Sequence, residues 1–440
     1  MTVFLKTTIL NFLFKLIYFG CVINHPKFVS LIIRLSLRKI KLIDNKKDGK
    51  KFLVLHKANG TEEIINAYRK KKSRNIYFEL RRNTLKTMCN YFIKDLIDYN
   101  YKSYLKEHDE NKNNYRLFLE KVFSDIQSKE KIYGIINFNI FYKSDFELAK
   151  VCNKLGIRLI TFHKEGISTP NQSVNLMRVY KDLNDKYLGF KIGVTNLEEK
   201  KRIVKSKICS DDKIYLIGSP KINYFYKLSK TNKINKKISI VFFQYTKKRG
   251  NFSRTTKPKN IYNDYRKRDY GWDRTETKCI KSLIAICNKF KDEVEVTFKI
   301  RENIWIKPRI FKHVNIPKNF KIVSSASSFW HLKKSNVVIS YNSSTLIEGL
   351  AAKKIVIMPD YSKKIDWNRS LNVKGAVKVI TNQHVFEKYI KEIINSKINL
   401  MDFYKNQKVI KARNRVIDKY FFNSDGKADI RMVNFLEKKI

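Results

Sequence analysis

Apolar positions along this chain follow two rhythms that take turns. Short runs such as Phe52–Leu55, Asn75–Leu80, Tyr133–Phe138 and Arg158–Phe162 have the length and branching of buried strands. Between them, Glu62–Lys72 and Ser144–Leu155 repeat apolar residues every three or four positions, as a helix with one buried face does. Residues 82–130 read as helical, with a charged interruption from Lys106 to Asn114. Phe190–Val194 and Lys213–Ile217 then flank a helix that starts at Leu197. The second half repeats the theme. Ile238–Phe243, Glu293–Ile300, Val337–Ser340, Ile355–Met358 and Val377–Ile380 read as strands. Thr275–Phe290, Ser343–Ala352 and Gln383–Asn395 read as helices. Strand-helix-strand alternation builds parallel sheets, so the pattern predicts an α/β protein.

Two polar breaks interrupt this pattern. Asp44–Lys51 is one; Lys227–Lys237 (KLSKTNKINKK) is the clearer, basic and without apolar periodicity. They divide the chain into an N-terminal segment 1–50, a first domain 51–230 and a second domain 231–440. A length of 440 residues fits two cores better than one.

The first segment is apolar and basic. Residues 3–23, VFLKTTILNFLFKLIYFGCVI, raise the question of a membrane span. Lys15 near the centre would cost ~3 kcal/mol on insertion, and no small-residue cleavage pattern follows. Next, Lys27, Ser30, Arg34, Arg38 and Lys41 fall on one helical face opposite Leu31, Ile32, Leu35 and Leu42. An interfacial helix on anionic lipid has this pattern, and so does a helix packed on the first domain. Arg34–Leu42 also alternates with period two, as a strand would.

Charge adds a partner class. Ninety-two Lys and Arg against 40 Asp and Glu give a formal charge of +52, a field that favours polyanions. The basic residues are spread along the chain and form no nucleic-acid module, so anionic membrane surface or charged substrate ranks above nucleic acid. Six scattered cysteines, without a Cys-x-x-Cys pair, argue for a reducing compartment and against a disulfide framework or zinc site. These features predict a cytoplasmic protein and leave open a peripheral place on the inner face of the membrane.

Candidate chemistry lies at strand ends. After Val337–Ser340 comes Asn342-Ser343-Ser344-Thr345, where Asn or Ser can cap the following helix. The first N–H groups and the positive end of the helix dipole then face outward, as a phosphate cradle does. Glu348, five residues after Ser343, is spaced to reach ribose hydroxyls. The plain alternative is a capped helix with a solvated acid. After Arg158–Phe162 comes His163-Lys164-Glu165-Gly166, where His163 or Glu165 can serve as a base for a hydroxyl nucleophile; an ordinary surface loop is the alternative. Lys299 and Arg301 end another strand, and the long loop Thr246–Trp272 is strongly basic. No Gly-rich phosphate loop, Asp-x-Asp or His/Cys cluster is present, so neither a P-loop ATP site nor a bound catalytic metal is expected.

The Asn-Ser-Ser strand end, the helix with Glu348 and the strand KKIVIM resemble the donor half of GT-B-fold glycosyltransferases of bacterial surface-polysaccharide synthesis. That group includes relatives of Kdo transferases and CDP-glycerol glycerophosphotransferases. The resemblance spans about residues 130–440. Gly218-Ser219-Pro220-Lys221-Ile222-Asn223 is similar to a Gly-x-Pro-Arg-x-Asp stretch of the group, with Lys221 and Asn223 in place of Arg and Asp. The group's His-Pro pair is missing after Lys299. The segment YFFNSDGKADIRMVNFL, from Tyr420 to Leu436, resembles the closing helix.

The resemblance implies two Rossmann-like domains facing a cleft, with the apolar, basic N-terminal helices as an extension. It implies a metal-independent glycosyltransferase with no bound cofactor, using a nucleotide-sugar cosubstrate and a glycan or glycolipid acceptor. Ser343, Ser344, Thr345, Glu348, Lys299, Arg301 and Gly218 would hold the donor, and Glu165 or His163 would activate the acceptor. Polyol-phosphate transfer of the CDP-glycerol type, nucleotide-sugar 2-epimerisation and non-enzymatic polyanion binding are the alternatives.

Overall fold

A computed structural model describes residues 3–43, 48–56, 60–94, 108–140, 142–164, 166–183, 187–228, 237–244, 272–300, 311, 314–324, 328–361, 367, 370–396, 398 and 405–437. The chain divides into two compact units. Unit 1 comprises Met1–Gly166, Leu176–Pro220 and Lys427–Ile440, and unit 2 comprises Ile167–Asn175 and Lys221–Gly426. The division after Pro220 falls ten residues before the expected boundary at 230, and the last segment belongs with the first unit.

In chain order the elements begin with α1 (Val3–Val22), α2 (Pro26–Ser36), β1 (Arg38–Lys39), β2 (Lys50–His56), α3 (Gly60–Ala67) and β3 (Asn75–Arg81). Next come α4 (Arg82–Phe92), α5 (Asp109–Glu130), β4 (Ile132–Asn137), α6 (Lys143–Lys154), β5 (Arg158–His163) and α7 (Pro170–Leu183). β6 (Lys191–Val194), α8 (Leu197–Lys205), β7 (Ile214–Leu216), α9 (Pro220–Leu228) and β8 (Ile238–Phe243) follow. Then come α10 (Trp272–Lys289), β9 (Val294–Lys299), β10 (Phe320–Val323), α11 (Ser328–Lys334), β11 (Val337–Ile339), α12 (Ser344–Ala351) and β12 (Ile355–Pro359). The chain closes with β13 (Lys378–Ile380), α13 (Gln383–Ile394), α14 (Gln407–Phe421) and α15 (Ala428–Glu437).

Unit 1 is built on a seven-stranded sheet of order β1-β3-β2-β4-β5-β6-β7. All pairings are parallel except β1 against β3. One face carries Ile17, Val29, Leu85, Phe118, Val122 and their neighbours from α1, α2, α4, α5 and α6. The other carries Ile64, Tyr68, Met432 and Phe435 from α3 and its continuation and from α15. Both faces are covered, which is why its central strands read as unbroken apolar runs. α15 is held by polar ties as well: Arg431 Nε donates to Ile217 O at 2.8 Å, and Tyr68 Oη donates to Glu437 Oε1 at 3.0 Å.

Unit 2 has a six-stranded parallel sheet of order β10-β9-β8-β11-β12-β13 around its own core. Numbered within the unit, that order is 3-2-1-4-5-6, the doubly wound order of dinucleotide-binding sheets, whose switch point lies between β8 and β11. The expected α/β class with two parallel-sheet domains is therefore present in the strand pairing itself.

Asparagine does much of the helix starting. The side-chain oxygens of Asn196, Asn382 and Asn406 accept from the first-turn N–H groups of Glu199, Val385 and Lys408, satisfying donors that a helix cannot satisfy itself.

The N-terminal stretch contains both patterns read from it, a helix and then period-two residues that pair as a strand. α2 ends at Ser36, and the residues of period two go on to pair as β1 with β3, Arg38 opposite Glu79. Of the face expected to be polar and outward, Lys27, Arg38 and Lys41 are exposed, whereas Ser30 is buried and donates to Asp125 Oδ2 at 2.6 Å, and Arg34 pairs with Glu130 at 3.3 Å. α5 supplies both acids, and ion pairing there replaces solvation. Among the described residues no helix is long and apolar enough to cross a membrane.

Candidate functional site

The carboxyl end of β11 lies at the switch point of unit 2, and the chain turns there through two unlike backbone states. Asn342 adopts a left-handed φ of 46°, and Ser343 is extended with φ −135°. Asn is among the few non-glycine residues that adopt the left-handed state readily, and Asn342 Oδ1 also accepts from the distant Leu371 N at 2.9 Å. Ser343 caps α12, its Oγ accepting from Thr345 N at 3.4 Å, and Ser340 and Thr345 hydroxyls meet at 2.7 Å.

α12 lies close on the sheet. A Cβ added to Gly349 would stand 3.0 Å from Val356 Cγ2 and 3.3 Å from Val338 Cβ. At the helix's far end, the buried Arg413 guanidinium donates to Leu350 O at 2.6 Å and Ala351 O at 3.3 Å. A cation on the final carbonyls complements the negative end of the helix dipole.

Glu348 is the centre of the site. Its Oε2 lies 3.0 Å from Lys221 Nζ and 3.1 Å from Ser328 Oγ, and its Oε1 lies 3.3 Å from Ser344 Oγ. Lys221 Nζ also donates to Ser328 Oγ at 3.3 Å. Lys221 is the second residue of α9, Ser328 the first of α11 and Ser344 the first of α12. Three helix N-terminal turns therefore converge on one buried carboxylate. The Lys221 ammonium is the counter-charge of that carboxylate, and the two serine hydroxyls occupy further acceptor positions.

Neighbouring strand ends add polar groups. Tyr341 Oη donates to Asp360 Oδ2 at 3.1 Å and lies 3.3 Å from Ser370 Oγ. Lys299, at the end of β9, turns its Nζ onto the carbonyls of Ile300 at 3.0 Å and Ser324 at 2.7 Å. Arg301 and the basic loop 246–271 lie outside the described residues.

Unit 1 holds the remaining candidates. His163 ends β5, fully buried, with its Nε2 3.2 Å from Glu199 Oε1. Tyr180 Oη and Arg202 also donate to that carboxylate. Burial pushes the Glu199 carboxyl up, but the hydrogen bond and charge of His163, with the Arg202 charge and the Tyr180 hydroxyl, outweigh it and hold the group below its ordinary value. His163 Nε2 thus faces Glu199 and Tyr180 in a buried cluster. Glu165 lies outside the described residues; the following Gly166 is tied by its carbonyl to Asn196 Nδ2 at 3.3 Å. Gly218 makes the turn from β7 toward α9, with φ 79°.

Of the candidates read from sequence, unit 2 thus brings together Ser343, Ser344, Thr345 and Glu348. Lys221 carried a signal, since it stands where the resembled group has Arg. Ser328, Tyr341 and Asp360 carried none. All six cysteines are buried, and burial pushes the thiols of Cys21, Cys279 and Cys287 up to about 12, which disfavours thiolate chemistry at those positions.

No protein-family model and no curated protein sequence matches the chain. Solved structures do. The chain is similar to the UDP-GlcNAc 2-epimerase of Neisseria meningitidis bound to UDP-GlcNAc, at 12% identity and TM-score 0.48, over 88% of this chain and 99% of that one. It is similar to the UDP-GlcNAc 2-epimerase of Methanocaldococcus jannaschii in complex with UDP-GlcNAc and UDP, at 14% identity and TM-score 0.46, over 88% and 99%. It is also similar to a variant of the wall teichoic acid polymerase TagF soaked with CDPG, at 12% identity and TM-score 0.49, over 95% of each chain. These likenesses concern the fold alone.

Proposed function

We propose that the protein is an enzyme acting on a nucleotide-activated sugar or polyol phosphate, with the nucleotide on the carboxyl edge of the unit 2 sheet. The carrying observation is the convergence of Lys221, Ser328 and Ser344 on Glu348 at the N-terminus of α12. Doubly wound sheets take ligands at their switch point, and the α12 N-terminus stands there. The donor phosphates rest on the first turn of α12, beside Ser343, Ser344 and Thr345. Glu348 keeps Oε2 on Lys221 and Ser328 and offers Oε1, with its longer Ser344 contact, to a ribose hydroxyl.

Charge then does the chemical work. As the bond to the donor phosphate breaks, negative charge grows on the leaving nucleotide, and the helix end with Lys299 and Arg301 stabilises it. An acceptor base is needed for transfer. As read from the sequence, Glu165 or His163 takes that role. Glycosyl transfer, polyol-phosphate transfer and 2-epimerisation all use this donor half and part company only at the second substrate.

A thermal-shift series on the full chain tests the reading, since a ligand of the native state raises the apparent melting temperature. UDP, CDP, GDP, UDP-GlcNAc and CDP-glycerol are compared with pyrophosphate and with 2′- and 3′-deoxynucleotides. The expected result is a shift selective for one base, weakened for one deoxy form, with that discrimination lost in Glu348→Gln. Equal shifts with pyrophosphate, unchanged in Glu348→Gln, would reduce the protein to a polyanion binder. Incubation of the selected donor alone or with glycan acceptors then separates epimerisation from transfer.

A further inference from the structure

We propose that α1 and α2 dock unit 1 onto an anionic lipid bilayer through the faces they leave outside the core. The two helices bury Ile17, Cys21, Val29, Ile32 and Ile33, yet each keeps a second apolar face. On α1, Ile9, Phe12, Phe19 and Val22 are exposed, Phe12 at 60%. On α2, Leu31 and Leu35 are exposed, Leu35 at 73%.

These faces adjoin. Gly20 lets the helices touch, since a Cβ there would fall 2.4 Å from Val29 Cγ2, and the rings of Phe19 and Phe28 meet edge to face at 6.4 Å. The ridge therefore runs from Phe12 through Phe19 and Phe28 to Leu31 and Leu35. A helix pair that buries one apolar face and presents another is partnered on only one side.

Charge identifies the partner. The first 43 residues contain Lys6, Lys15, Lys27, Arg34, Arg38, Lys39 and Lys41 and no acidic residue. Lys15 and Lys27 are exposed on the two helices and Lys39 and Lys41 in the stretch that follows them, whereas Arg34 is drawn inward to Glu130. An apolar strip on helices that also carry exposed ammonium groups matches the acyl boundary and phosphate layer of an anionic leaflet, into which such faces sink ~5–10 Å. Long lysine stems keep the charge at headgroup level while the ridge enters. Each basic residue near the surface strengthens partition about fivefold. Of the apolar face read from periodicity, Leu31 and Leu35 stay exposed and Ile32 is buried, while Ser30 and Arg34 of the polar face turn toward α5.

Flotation of the full chain with vesicles at 0.15 M salt tests this independently of the nucleotide site. Phosphatidylcholine vesicles are compared with vesicles containing 30% phosphatidylglycerol. The wild type should bind the anionic vesicles at least tenfold better than the neutral ones. The triple variant Phe12→Ser, Leu31→Ser, Leu35→Ser, which leaves charge unchanged, should lose at least tenfold of that binding. If the triple variant misfolds by circular dichroism, Leu35→Ser alone should show a loss of about threefold. Three outcomes overturn the proposal: equal vesicle binding by wild type and serine variants, which would leave charge alone; no vesicle binding by the wild type; or a dimer without vesicles that the serine variants abolish while vesicle binding persists, which would assign the ridge to a second copy.

Discussion

Lys221 and Glu348, 127 residues apart in the chain, form a buried ion pair, Nζ to Oε2 at 3.0 Å, with Ser328 bridging both. In the sequence these residues belong to two separate segments, a Gly-Ser-Pro-Lys turn and a Ser-Ser helix start. In the fold they are one piece of electrostatics. A buried carboxylate without its cation keeps its desolvation penalty with nothing to offset it. Lys221 therefore supplies the counter-charge that lets Glu348 stay buried.

Breaking that pair has a large expected cost. Lys221→Met leaves Glu348 buried and uncompensated, which destabilises by ~3–5 kcal/mol. Adding Glu348→Met should recover much of it, because removing both charges abolishes the desolvation penalty. Urea unfolding of the full chain, followed through the transition of unit 2, measures both variants. Additive losses in the double variant would show that the two side chains are energetically independent.

Gly349 controls where the start of α12 stands. Gly349→Ala forces Val356 or Val338 to move, an overpacking that costs ~1–3 kcal/mol, despite the gain of ~1 kcal/mol in helix propensity. The shift displaces the helix from β11 and β12, so any nucleotide-dependent rise in melting temperature should shrink as well. Unchanged stability together with an unchanged nucleotide response would refute the close-packing argument.

Asn342 gives a backbone test. Asn342→Val places a β-branched residue at φ 46°, costing ~1–2 kcal/mol for the left-handed state beyond the lost bond to Leu371 N. Asn342→Gly keeps the turn and loses only the bond, so it should be the milder change by thermal unfolding. Equal effects of the two would mean that the hydrogen bond, not the turn, matters.

Legibility followed burial. Ile238–Phe243 reads from sequence with the same bounds it has as β8, because a strand covered on both faces is a plain apolar run. Gln407–Phe421 was hidden by Arg413, a polar residue on the buried face whose guanidinium is spent on α12 carbonyls. α7, PNQSVNLMRVYKDL, mixes polar residues throughout and offers no clean stripe. At the site, the Ser-Ser cap and Glu348 were legible as local chemistry. Ser328 and the pairing with Lys221 were not, since long-range convergence leaves no local periodicity. His163 was legible as a strand-end residue, but its partner Glu199 looks like an ordinary first-turn acid, and only the fold turns it inward.

That His163 cluster should set part of the acid limit of the fold. In the folded protein the Glu199 carboxyl is held below its ordinary value near 4.5, whereas in the unfolded chain it titrates at that value. As pH falls, the unfolded state takes up the proton first. The stabilisation from the charged carboxylate is therefore fully present above about pH 4.5. It is lost as pH drops through the lower folded value. Glu199→Gln leaves Arg202 buried without its counter-charge and should destabilise unit 1 by ~3–5 kcal/mol at neutral pH. The difference in melting temperature between wild type and Glu199→Gln should hold from pH 7 to 5 and narrow steadily toward pH 3. A difference that stays constant across this range would mean that Glu199 carries no linked charge and that the cluster is held by packing.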